Sequence, residues 1–201
     1  MKLIVITWPR FLPSEALLLS LLMDNGADRI HIRKPDASAD EVRQLINAIP
    51  ANYHDRLVLH DHYQLINEFT LAGIHLNQRN LAQLGSNIPY SCSCHSIEEI
   101  GLRRDLVKEY LFLSPIFDSI SKTGYQAAFT PENLRQASSD QIIREDTIAL
   151  GGIDIPCIPF VRQCGFGGIA LLGAIWNPFL VTGNPQILVE TIASFQIQLK
   201  R

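Results

Sequence analysis

Arg33, Asp61 and Lys122 are the charged residues best suited to chemistry on an anion, and each has polar neighbours. The Arg33 guanidinium, in Ile30-His31-Ile32-Arg33, can grip phosphate oxygens through two parallel N–H donors. Asp61, in His60-Asp61-His62, is a carboxylate able to hold Mg²⁺ through one or two oxygens. In Phe117-Asp118-Ser119-Ile120-Ser121-Lys122-Thr123-Gly124, the hydroxyls of Ser119 and Ser121 face the same way if the segment is extended. With the adjacent Lys122 ammonium they form an anion cradle; the competing reading is an ordinary solvated loop. Leu150-Gly151-Gly152-Ile153 and Leu172-Gly173-Ala174-Ile175 let backbone N–H groups approach a phosphate closely. His31 and His60 are suited to acid/base work near neutral pH. Cys92-Ser93-Cys94-His95 looks like a metal motif, yet a strand puts both cysteines on one face and His95 on the other. Two buried thiols suit that pattern better, and His75, within an apolar run, reads as a hydrogen-bonded core histidine.

Positioning these groups requires regular elements, and the chain supplies them. Short apolar runs recur at Leu3–Thr7, Arg29–Arg33, Leu57–His60, Gly73–Leu76, Pro89–Cys94, Tyr110–Ser114, Thr147–Leu150 and Gly168–Leu172. Helical patterns follow at Ser14–Asn25, Ala39–Ile49, Tyr63–Leu71, Leu81–Leu84, Ile97–Val107, Pro131–Ala137, Ile158–Gln163 and Gln186–Lys200, with Ser14 and Ser38 as expected N-caps. Strands alternating with helices imply a parallel sheet. Eight such units predict a compact single (β/α)8 TIM barrel over residues 1–201, with an open doubly wound sheet as the competing architecture. A barrel builds its active site from the C-terminal strand ends. Arg33, His60, Asp61, Ser93, Gly152 and Gly173 all fall there.

Composition narrows the function classes. At 201 residues, 47% hydrophobic and 18% charged, the chain can bury a sizeable core and is no disordered segment. A net charge of −3 provides no general basic field for nucleic acid. No run reaches the roughly 18 apolar residues of a membrane span, and four cysteines are too few for a disulfide frame. A cytoplasmic protein is expected, acting on phosphorylated small molecules and not on nucleic acid or membrane. The oligomeric state is left open, a homo-oligomer included.

Six segments together carry a family resemblance: Ile30-His31-Ile32-Arg33, Gly73-to-Gln78, Cys94-to-Glu99, Ser114-Pro115-Ile116-Phe117, Ala149-to-Ile153 and Gly168-to-Ile175. In order and spacing they resemble the thiamine-phosphate synthase and thiazole-tautomerase superfamily. The resemblance implies a transferase that joins hydroxymethylpyrimidine diphosphate to thiazole phosphate. It further implies that the diphosphate meets Arg33, His31, His60, Ser93 and Lys122, and that Asp61 holds Mg²⁺. The thiazole phosphate would meet Ser119, Ser121, Gly152 and the Leu172-Gly173 backbone. Departures are specific. Synthases usually have Gln at His31, Asn at His60, Lys at Pro35, a second magnesium carboxylate at Asn80 and Ser at Gly173. Lys34 is one step early and is expected to point elsewhere, and the tautomerase histidine is replaced by Pro115. A thiazole phosphate isomerase using His31 or His60, and a non-catalytic binder of thiazole or thiamine phosphate, stand as alternatives.

Overall fold

The computed structural model describes residues 1–77, 90–106, 108–118 and 127–200. Eight strands, β1 (Lys2–Ile6), β2 (Arg29–Ile32), β3 (Leu57–Leu59), β4 (Gly73–Leu76), β5 (Tyr90–Cys94), β6 (Leu111–Leu113), β7 (Thr147–Leu150) and β8 (Gly168–Leu171), are all parallel. They close in chain order, β8 pairing back onto β1. This is the compact (β/α)8 barrel, and the open sheet is excluded.

Side-chain alternation along each strand sorts the residues into two shells. Leu3, Val5, Ile30, Ile32, Leu57, Leu59, Leu111, Leu113, Ile169 and Leu171 point outward into one large apolar core beneath the helices. Ile4, Ile6, Tyr110, Phe112, Ile148 and Ala170 point inward and form a second, smaller cluster inside the cylinder. Cys92 and Cys94 belong to the outer core, which leaves Ser91 and Ser93 facing in. Burial drives the Cys94 thiol up to about 12, so it stays protonated and unreactive.

The helices are α1 (Glu15–Asp24), α2 (Ala39–Ala48), α3 (Ile97–Arg103), α4 (Pro131–Ser139), α5 (Ile158–Gln163), α6 (Gly173–Thr182) and α7 (Gln186–Leu199). Ser38 caps α2 through a full capping box with Glu41, an arrangement that stabilises a helix by about 1 kcal/mol. Ser14 makes no side-chain cap; its backbone is left-handed, with φ of 54°. Between β3 and β4 the expected helix over Tyr63–Leu71 is only a 3-10 segment at Tyr63–Asn67. The helical turn expected at Leu81–Leu84 lies outside the described residues.

One helix was not anticipated. α6 starts directly after β8 and runs through Pro178, a residue that reads as a breaker in sequence. Packing overrides that signal. Trp176 is fully buried and its indole N–H donates to the Ile6 carbonyl at 2.8 Å, docking α6 over the end of β1. Among the described residues, no helix is long and apolar enough to cross a membrane.

Candidate active site

A cavity of about 440 Å³ opens at the C-terminal ends of the strands, where a barrel keeps its active site. Its walls are Ile6, Leu150, Leu172 and Phe112, and its polar groups are Arg33, His60, His75, Asn77, Ser93, His95 and Ser114. No carboxylate is among them, and Arg33 has no carboxylate partner among the described residues. An uncompensated guanidinium in a partly enclosed mouth favours an anionic ligand. Its backbone is pinned to the end of β1: Arg33 N–H donates to Thr7 Oγ1 at 2.9 Å, and the Thr7 hydroxyl donates to Arg33 O at 3.2 Å.

Lys34 turns away. It is buried, with Nζ donating to the Trp8 and Arg10 carbonyls at 2.7 and 3.0 Å and to the Glu15 carboxylate at 2.6 and 2.8 Å. It therefore ties the loop after β1 to the end of β2 and contributes no charge to the cavity. Burial pushes Lys34 down and Glu15 up, each against the pull of its partner, so desolvation is the larger effect for both.

The cavity floor is built of imidazoles. β2, β4 and β6 place His31, His75 and Phe112 at one level, with ring centroids 4.8 to 5.3 Å apart. A barrel ordinarily fills such positions with branched apolar side chains. Here the imidazoles inside the cylinder are held by hydrogen bonds instead. His31 Nδ1 lies 2.8 Å from His60 Nε2, and His31 Nε2 lies 2.6 Å from the Tyr110 hydroxyl. His75 lies 2.8 Å from Ser91 Oγ and 2.7 Å from Ser93 Oγ. Burial pushes all three histidines to lower pKa, His75 down to about 3; His75 then adds to the effect on His31 and His60, and Arg33 to that on His60 and His75. The floor is uncharged at neutral pH and rich in hydrogen-bonding groups.

The site residues expected from sequence divide three ways. Arg33, His60, Ser93 and Leu172 line the cavity together, with His31 directly beneath through its bond to His60. Asp61 follows His60 at the same barrel end, half-buried and off the cavity wall. Gly152 and Gly173 stand at that end without lining it, and Gly173 opens α6. Gly152 has φ of +66°, and a Cβ there would meet the Asp118 carbonyl oxygen at 2.3 Å, so its backbone fit against the loop after β6 already requires glycine. Ser119, Ser121 and Lys122 lie outside the described residues, as does Asn80. Tyr110, unremarked in sequence, emerges as part of the floor. Its signal was present in the inward alternation His31–Arg33, Ser91–Ser93 and Tyr110–Phe112.

Comparison with known proteins decides what such a barrel is. Residues 4–175 match the model of a family described as thiamine monophosphate synthase. The chain belongs to that family. Among curated relatives, the thiamine-phosphate synthase of Cronobacter sakazakii is 29% identical over 84% of this chain and 84% of its own length. That of Photorhabdus laumondii is 26% identical over 78% of this chain and 76% of its own. The crystal structure of thiamine phosphate pyrophosphorylase from Bacteroides thetaiotaomicron superposes with a TM-score of 0.87 at 37% identity, covering 100% of this chain and 98% of that one. Those relatives are transferases, and in this chain His31, His60 and His75 give the barrel its imidazole floor.

Proposed function

We propose that the protein is a thiamine-phosphate synthase, joining hydroxymethylpyrimidine diphosphate to thiazole phosphate and releasing pyrophosphate. The observation that carries this reading is the unpaired Arg33 at the mouth of a cavity whose floor is neutral, in a chain matched by the synthase family over residues 4–175. A phosphorylated heterocycle divides in the same way, with charge at one end and a neutral ring at the other.

In the reaction the bond from the pyrimidine methylene carbon to the diphosphate oxygen breaks, and its electron pair leaves with pyrophosphate. The thiazole nitrogen then donates its lone pair to the pyrimidine carbocation. Arg33 offsets the charge that builds on the departing oxygens, a form of stabilisation that commonly contributes about 10²–10³ in rate. Ile6, Phe112, Leu150 and Leu172 keep water from the cation, which would otherwise be quenched to the alcohol. Amides of Gly152, Gly173 and Ala174, without backbone partners among the described residues, are donors for the thiazole phosphate.

The donor set fits Mg²⁺ in a lean form. Asp61 supplies one hard carboxylate oxygen at the same barrel end, and this ion characteristically takes one or two carboxylates, several waters and substrate phosphates. Asp61 is the residue that would hold it, and the bound ion would neutralise part of the pyrophosphate charge. The tautomerase alternative lacks its histidine at Pro115, and the relatives reported above are synthases.

Incubating the pure protein with both substrates, with and without Mg²⁺, tests the reading directly. Thiamine phosphate and pyrophosphate should appear in equal amounts, and faster with the ion. No product at saturating substrate would reject it.

A further inference from the structure

Two sets of hydrogen bonds outside the cavity converge on the chain around Arg33. The backbone ladder between β1 and β2 ends with Ile6 opposite His31, followed by one more bond, from the Thr7 N–H to the His31 carbonyl at 2.9 Å. The next bond goes to a side chain. Arg33 N–H donates to Thr7 Oγ1 at 2.9 Å, where a continued parallel ladder would offer a main-chain carbonyl. The same hydroxyl donates its hydrogen to Arg33 O at 3.2 Å. Thr7 is fully buried, so one oxygen holds both polar groups of the Arg33 backbone away from water. Beyond that point the chain turns through Pro35, with the Ala37 N–H donating to Lys34 O at 3.1 Å.

Lys34 holds the other side. Strand alternation sends His31 and Arg33 inward and places Lys34 outward, in line with Ile30 and Ile32 of the outer core. An apolar side chain would continue that row. Instead the buried ammonium shares its three N–H donors among the Trp8 carbonyl, the Arg10 carbonyl and both oxygens of Glu15, the first residue of α1. Glu15 Oε2 also accepts the Leu12 N–H at 3.1 Å, and the ammonium lies 4.8 Å from the centre of the Phe11 ring. The loop from Trp8 to Glu15 is therefore wound around one charge, carried by the residue next to Arg33.

We propose that Thr7 and the Lys34–Glu15 pair are positioning residues that aim the Arg33 guanidinium into the cavity. None of the three lines the cavity, yet together they fix the stretch of backbone from which the Arg33 side chain springs. Cohesion does not account for the pair, because apolar side chains of similar volume commonly serve a buried site as well as an ion pair or better. What the pair adds is direction: its bonds set the loop after β1 at one distance from the end of β2. The identity of the anion, a diphosphate, rests on the synthase reading; the positioning rests on the hydrogen bonds.

Arg33 needs such support. Among the described residues no carboxylate pairs with it, so no ion pair orients the long side chain before a ligand arrives. A guanidinium grips phosphate best when its fork meets two oxygens at once. Misplacing such a group by about 1 Å forfeits much of the gain. Loosening the clamp should therefore weaken anion binding while the charge itself stays in the molecule.

The test is a mutant cycle on pyrophosphate affinity, read by calorimetry with urea denaturation alongside. Arg33→Ala should weaken pyrophosphate binding about tenfold or more. Thr7→Val, which keeps the side-chain shape, and the double variant Lys34→Met with Glu15→Leu should each weaken it about threefold to tenfold, and Thr7→Ser should restore it to within about twofold. In an Arg33→Ala background neither change should have any further effect, because both act through that residue. The double variant removes both buried charges together and carries the test if Thr7→Val does not fold. Parental affinity in the folded variants, losses that recur in full without Arg33, or a parent that binds no pyrophosphate would overturn the proposal. Thr7-dependent pyrophosphate binding in a protein that makes no thiamine phosphate would reject the synthase reading and leave the positioning standing. Undiminished thiamine phosphate synthesis and pyrophosphate affinity in Thr7→Val would do the reverse.

Discussion

The interior of the barrel has two unlike halves. From β7 through β8 to β1 the inward positions are Ile148, Leu150, Ala170, Leu172, Ile4 and Ile6. From β2 through β5 they include His31, His60, His75, Ser91 and Ser93. The outward faces of both halves are equally apolar, with Ile30, Ile32, Leu59, Ile74 and Leu76 on one side and Leu3, Val5, Ile169 and Leu171 on the other. Outward packing is therefore sufficient to make the cylinder, and the polar inner half is not required by the fold. Burying five polar side chains there costs stability unless every one stays bonded. That cost is accepted on the half that faces Arg33 and the ligand.

Acid should separate the halves most strongly. The folded histidines hold no proton at a pH where the unfolded chain, with ordinary values near 6.5, binds one at each. Stability is full above about pH 6.5 and is lost as the pH falls below it, by about 1.4 kcal/mol per pH unit for each histidine. Urea denaturation at pH 7 and pH 5 should differ by up to about 6 kcal/mol, and His75→Gln should flatten the difference. Equal stability at both pH values would mean that the imidazoles are not kept neutral.

The next largest effect lies at the Lys34–Glu15 pair. Lys34→Met strands a buried carboxylate and should cost about 3–5 kcal/mol by chemical denaturation, whereas adding Glu15→Leu should recover most of it. Arg33→Ala should leave stability within about 0.5 kcal/mol, yet lower synthase turnover about 10²–10³-fold. A variant that loses stability rather than rate would place Arg33 in the scaffold. On the apolar half the smallest effect is expected: Ile148→Val should cost about 0.5–1.5 kcal/mol and leave turnover nearly unchanged.

Much of this was legible before any coordinates. Buried parallel strands are continuous apolar runs, so Leu3–Thr7, Thr147–Leu150 and Gly168–Leu172 announce themselves, and eight of them in alternation with helices point to a closed barrel. Arg33, His60 and Ser93 could be placed at strand ends by counting. What counting does not supply is which side chains meet. Lys34 is one residue from Arg33 and lies on the opposite side of the chain, spent on Glu15. α6 was obscured because Pro178 breaks helices locally, and only the tertiary anchor of Trp176 outweighs it. The floor was hidden for a related reason: His31, His75 and Tyr110 are far apart in sequence, so His31 reads as an acid/base candidate and His75 as a satisfied core residue, with nothing to join them to Tyr110.

The most direct test of the account is a crystal structure of the protein with hydroxymethylpyrimidine diphosphate and Mg²⁺, supported by the same soak of Arg33→Ala. The diphosphate should lie on Arg33 with the aminopyrimidine ring over His75, its nitrogen edge against His60 and Ser93, and the variant should show a vacant cavity. Ligand density in the groove between α1 and α2 beside Phe11 and Glu41, or a ring seated with no contact to His60, would contradict it.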